Sequence, residues 1–136
     1  MKTEVNKCYA YFCIRDSFDP KQITERLGVE PTKTAREGEL IPPTSVTRKT
    51  SLWALYSRLE KTSRLEEHVN DVLDQLDSHG TKFEELSREF EGILELVGYF
   101  YAYYPGLIFN REQVKRIARY SLSVDFDFYN FGGDDE

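Results

Sequence analysis

Two histidines, two cysteines and no apolar run long enough to cross a bilayer set the first limits on this chain of 136 residues. A membrane-spanning helix needs about 18 or more consecutive apolar residues. No window approaches that, and residues 1–7 are polar where a secretory leader would be apolar. The expectation is a cytoplasmic chain that engages no membrane. On one strand Cys8 and Cys13 would lie roughly 16 Å apart on opposite faces. They are expected to remain reduced thiols that pack as small hydrophobes, since no CxxC-like spacing accompanies them. On one helix His68 and His79 would be about 16 Å apart, too far to grip one metal or act on one atom. Both read as surface positions beside an apolar stripe. No Cys or Ser stands in a triad motif and no glycine-rich phosphate loop is present, Gly132-Gly133 lying in the tail. Catalytic residues, metal ligands and cofactors are therefore not assigned.

The chain does have apolar material in quantity. It is 40% hydrophobic and 14% aromatic, with 9 Tyr and 9 Phe, enough to offset the entropy of ordering one core. Its length suits a single domain spanning 1–136. Net charge is −6 and unevenly spread. Residues 31–64 hold seven Lys/Arg against three acids, whereas 65–110 hold two against ten. Blocks of this kind are ordinarily solvated faces, although they also orient a charged partner during encounter.

Periodicity orders the chain. Residues 8–14 are apolar on both faces and read as an internal strand. A short helix follows, with Asp19 as N-cap, Pro20 at the first position, Ile23 and Leu27 as its apolar pair and Gly28 as its left-handed stop. From 29 to 50 the pattern is broken by Pro31, Gly38, Pro42 and Pro43, and residues 33–50 are expected to be mobile. Residues 51–57 restore a strand. Ser63 with Glu66 and Thr81 with Glu84 open two helices of an αα-hairpin over 64–91. Residues 93–104 form the richest strand, Asn110 caps a helix with Val114, Ile117 and Ala118 facing inward, and 121–128 alternate cleanly. The ends, about 1–6 and 130–136, are expected to be flexible. The fold class is α+β: an antiparallel four-stranded sheet with helices packed on one face, in a ferredoxin-like order β-α-β, inserted αα-hairpin, β-α-β.

The run Tyr11-Phe12, Phe18-Asp19-Pro20, Ile23-Thr24, Leu27-Gly28-Val29-Glu30-Pro31-Thr32, Gly38 and Trp53, closed by Leu122 to Tyr129, resembles the bacterial family labelled domain of unknown function 4279. Its most specific block is Leu-Gly-Val-Glu-Pro-Thr. The resemblance covers nearly the whole chain and implies a bacterial, cytosolic, stand-alone α+β domain. It carries no catalytic residue.

Two constellations remain as candidates. Asp125 and Asp127 put two carboxylates on one strand face, roughly 7 Å apart, suited to a divalent ion or to an edge strand that must stay soluble. The strand tyrosines Tyr9, Tyr11, Tyr99 and Tyr101, with Trp53, are expected on the sheet face that helices leave uncovered. Aromatic sheet faces stack RNA bases or anchor protein partners. Acids on the same face argue against nucleic acid. The reading is a non-catalytic protein-binding module, of which an acidic antidote or immunity-type protein occluding a basic toxin is one version. The alternative is metal-dependent phosphoryl or nucleotide chemistry at Asp125 and Asp127.

Overall fold

Among the described residues five strands and four helices follow one another along the chain: β1 (Lys7–Asp16), α1 (Pro20–Leu27), β2 (Lys33–Ala35), β3 (Ser51–Tyr56), α2 (Leu65–Asp77), α3 (Lys82–Phe90), β4 (Ile93–Phe100), α4 (Arg111–Arg119) and β5 (Ser123–Asn130). The structure is a computed structural model that describes residues 4–103 and 105–132. One sheet holds all five strands in the order β2-β3-β1-β4-β5. β1 is central and antiparallel to both β3 and β4, while β5 runs parallel to β4. The expected wholly antiparallel four-stranded sheet is thus corrected to a mixed five-stranded one. A ferredoxin-like sheet splits its β-α-β units, but here β4 and β5 are direct neighbours joined through α4.

Local sequence explains the helix ends. Asp19 accepts the Lys21 N–H at 3.0 Å, Pro20 occupies the first turn, and Gly28 closes α1 at φ 71°. In α2 the cap shifts by one residue from the expected Ser63, because Glu67 accepts the Arg64 N–H at 3.0 Å. Asn110 and Gln113 form a reciprocal box at the start of α4. That helix turns differently from expectation. Gln113, Ile117 and Tyr120 are buried at i, i+4, i+7, and Val114 is 53% exposed. The Tyr120 hydroxyl donates to Asp77, and Gln113 Nε2 donates to Asn70, which settles the rotation.

All four helices pack on one face. Ala10, Phe12 and Ile14 of β1, Trp53 and Leu55 of β3, and Leu94 and Leu96 of β4 meet Ile23, Leu27, Val69, Val72, Leu73, Leu76, Phe83, Leu86 and Ile117 in one core. Phe83 stands edge-on to Phe12 at 5.2 Å. His68, expected at the surface, is fully buried on the α2 stripe, where the Ser57 hydroxyl hydrogen-bonds its Nδ1 at 2.7 Å and burial lowers its pKa. His79 lies in the turn after α2, so the two histidines do not share a helix.

The long connection is only partly irregular. Residues 33–35 form β2, and Leu40 bridges Thr47 to give a small hairpin whose base is held by Arg36 to Asp19 at 2.9 Å. The richest strand ends at Phe100 rather than 104. Tyr104, residues 1–3 and most of the acidic tail, 133–136, lie outside the described residues.

Candidate functional site

Strand geometry sends alternate side chains to opposite faces. The odd-numbered residues of β1, β4 and β5 therefore share the face that no described helix covers. The pairing Tyr11↔Tyr56 extends that face to β3 through Tyr56, and the pairings Glu95↔Asp125, Val97↔Asp127 and Tyr99↔Tyr129 extend it to β5. Four of the five predicted aromatics, Tyr9, Tyr11, Tyr99 and Tyr101, belong to it. Trp53 does not. Its partner across the ladder is Ile14, a core residue, so Trp53 points to the helices, is 0% exposed and donates its indole N–H to Thr24 Oγ1 at 3.0 Å.

The rings on the open face form two stacks. In the first, Tyr11 and Tyr56 are 4.4 Å apart and 7° from parallel, with Tyr9 5.6 Å from Tyr56. In the second, Tyr99 lies 5.2 Å from Tyr129, and Phe131 lies 5.2 Å from Tyr101. The Tyr9 hydroxyl adjoins Tyr99 and joins the stacks, while burial among these rings pushes the Tyr11 hydroxyl up to about 12. Tyr129 and Phe131 keep 42% and 55% of their surface in water. Offset aromatic pairs of this kind contribute roughly 0.5–1.5 kcal/mol each beyond burial. They hold the rings in place.

Charge on this face is divided between its halves. Towards β5 stand Glu95, Asp125 and Asp127; towards β2 and β1 stand Lys33, Lys7 and Arg15, with Lys61 5.3 Å over the Tyr9 ring. Arg15 donates to Cys13 Sγ at 3.3 Å and also meets the Tyr11 hydroxyl. Glu95 was missed from the sequence, although an acid inside Ile-Leu-Glu-Leu-Val is a visible anomaly. It is only 6% exposed. Burial, then the hydrogen bond and charge of Asp125, push its carboxyl up to about 7, with Arg15 opposing. The Glu95 and Asp125 side chains are hydrogen-bonded across the β4–β5 pair. Among the described residues no group of three His, Cys, Asp or Glu is placed to hold a metal ion.

Cys8 and Cys13 are both free and buried, one on each face of β1. Burial pushes both thiols up to about 11, which leaves them unreactive at neutral pH. A cleft of about 380 Å³ opens near Cys8, between the start of α2 and Phe100, Tyr103 and Leu107, away from the stacked tyrosines of the open face. Several of its polar groups are already engaged: Cys8 Sγ donates to the Ser63 carbonyl at 3.1 Å, and Glu66 takes Arg64 at 3.0 Å and the Ile108 N–H at 3.2 Å. The tyrosine face remains the candidate site.

Comparison with known proteins gives a family and no role. Residues 6–131 match the family described as a domain of unknown function (DUF4279). The chain belongs to that family. No curated protein and no solved structure matches it. Among the described residues of this DUF4279 chain, no helix is long and apolar enough to cross a membrane.

Proposed function

We propose that this DUF4279 domain is a non-catalytic protein-binding module that docks its partner on the open face of the sheet. The observation that carries this reading is the pair of stacked aromatic arrays left without a helix over them, with Tyr129 and Phe131 about half exposed. Tyrosine anchors interfaces because it offers a large, stiff, amphipathic surface at low entropic cost. The carboxylates Asp125 and Asp127 favour a partner that brings cations to the β5 side. They also oppose a nucleic-acid backbone there, since phosphates would meet two acids. A net charge of −6 on a chain this size suits an antidote or immunity-type protein that covers a basic surface of a toxin.

The test is capture from the native host with three baits: wild type, a face variant carrying Tyr99→Ala and Asp127→Asn, and a helix-side control, Arg119→Ala. One protein retained by wild type and control but lost by the face variant, with all three melting at similar temperatures, supports the module. Equal retention by all three baits removes the face from the account. Titration with magnesium and manganese, followed by backbone amide shifts, addresses the enzymatic alternative directly: saturable shifts at Asp125 and Asp127 would replace the binding reading with metal chemistry.

A further inference from the structure

β5 ends the sheet, and its outer edge is unpaired among the described residues. Two bonds fix which backbone groups point where: the Ser123 N–H donates to the Gly92 carbonyl at 3.1 Å and the Phe131 N–H donates to the Phe100 carbonyl at 2.7 Å. Odd residues of β5 therefore spend their backbone groups on β4. By the alternation of an extended chain, the N–H and C=O groups of Val124, Phe126 and Phe128 point away from the sheet. The edge is eight residues long, above the usual strand length, and Phe126 beside it is 52% exposed.

Edges of this length are commonly blocked, because a free row of donors and acceptors templates further strands. Among the described residues, the charges that stand at this edge on the open face are Asp125 and Asp127, two positions apart, with Glu95 behind Asp125. These charges discriminate between occupants. In a symmetric antiparallel pairing of two copies about Phe126, Asp125 of one chain would stand opposite Asp127 of the other, and like charges directly opposed are destabilising. A strand with arginine or lysine at alternate positions meets the same two carboxylates favourably. Its remaining side chains would fall on the Phe126 side, where apolar residues fit.

Building on the binding reading above, we propose that the outer edge of β5 takes up an extended basic segment of the partner as a sixth strand. The segment's alternate arginine or lysine side chains lie across Asp125 and Asp127, and its intervening apolar side chains lie against Phe126. Main-chain bonds to Val124, Phe126 and Phe128 supply the docking geometry, and the aspartates supply selection. The tyrosine face then meets the body of the partner beside that strand.

The probe is a capped eight-residue peptide alternating arginine with valine, with amide exchange on the whole chain as the readout. In the free protein the amides of Asp125 and Asp127 exchange slowly and those of Val124, Phe126 and Phe128 rapidly. Peptide binding is expected to slow the latter three at least tenfold. Phe126→Pro deletes an outward N–H without touching the β4 ladder and is expected to weaken binding at least tenfold. Phe126→Ala, which keeps that N–H, is expected to lose less than threefold. Melting of both variants checks that the fold survives; if Phe126→Pro unfolds, the exchange pattern in wild type decides. Peptide bound through the aspartates, with Asp125→Asn/Asp127→Asn abolishing binding but the three amides still fast, overturns the sixth strand and leaves the face intact as a docking surface. Absence of binding at millimolar peptide overturns the sixth strand, while the tyrosine-face reading stands or falls on the three-bait capture. A dimer of the free protein that Phe126→Pro dissolves would show a second copy on the edge and also overturn the proposal.

Discussion

The two faces of this one sheet are both rich in aromatic rings, yet they use them differently. On the covered face Phe12, Trp53 and Phe83 meet at steep angles and interlock with aliphatic side chains from all four helices. On the open face Tyr9, Tyr11 and Tyr56 lie nearly parallel, as do Tyr99, Tyr129 and Phe131, arranged along the sheet with hydroxyls and carboxylates among them. Interlocked rings fill volume, and parallel rings present a surface. The difference teaches that aromatic content marks a core only where something packs against it from the other side.

The largest expected effect is on the covered face. Trp53→Ala removes a fully buried indole and its bond to Thr24, and should cost about 3–5 kcal/mol by equilibrium unfolding. Tyr11→Ala, on the open face, loses one stacked contact and partial burial and should cost about 1–2 kcal/mol. Equal costs would erase the contrast between the faces.

Gly98→Ala ranks next. Gly98 lies on the covered side of β4, and a Cβ there would come within 2.4 Å of the Phe100 ring, itself edge-on to Phe128 at 5.2 Å. The ring must move within a packed site. The expected loss is about 1–3 kcal/mol, read as a lowered denaturation midpoint.

Glu95 sharpens the comparison through pH. Its carboxyl holds a proton more tightly folded than unfolded, with a pKa raised to about 7 from 4.5. The native state therefore binds more protons in that window, so stability should fall as pH rises from about 4.5 to 7 and level off above. Glu95→Gln should flatten this slope and gain on the order of 1–2 kcal/mol at pH 8 once solvent screening is allowed for. A slope unchanged by the substitution would show that Glu95 does not carry the raised pKa.

The smallest effect concerns the thiols. With Cys8 and Cys13 buried on opposite faces of β1 and both thiols pushed up to about 11, neither should react with a thiol reagent in the native state at pH 7. Reductant should leave the melting temperature unchanged. Rapid labelling of either cysteine would show that its face opens locally.

Where one side of a strand faces water, the alternation was legible. β5, expected over 121–128, runs from Ser123 to Asn130, and the punctuation of α1 and the cap at Asn110 appear where the residues place them. Trp53 was misplaced because Ser-Leu-Trp-Ala-Leu-Tyr is apolar on both sides, so its face depends on the register with β1, a long-range property. The same reason hid the parallel pairing of β4 with β5, and the three residues Lys33-Thr34-Ala35 are too few to carry a strand period. His68 had a readable signal. It stands three residues after Leu65 and four before Val72, inside the apolar stripe, and only its polarity argued for the surface. In α4 the buried stripe runs through Gln113 and Tyr120, polar residues whose partners on α2 cannot be inferred before the helices are docked.

The central claim is that the open face contributes far less to the fold than the covered face does. Its most direct test is equilibrium unfolding of one chain carrying Tyr99→Ser, Asp125→Asn, Asp127→Asn and Tyr129→Ser, measured beside Trp53→Ala. Four surface changes that leave the variant cooperative and lose less than half of what the single Trp53 substitution loses are the predicted result. A loss as large as that of Trp53→Ala would contradict the account and return the tyrosine face to the core.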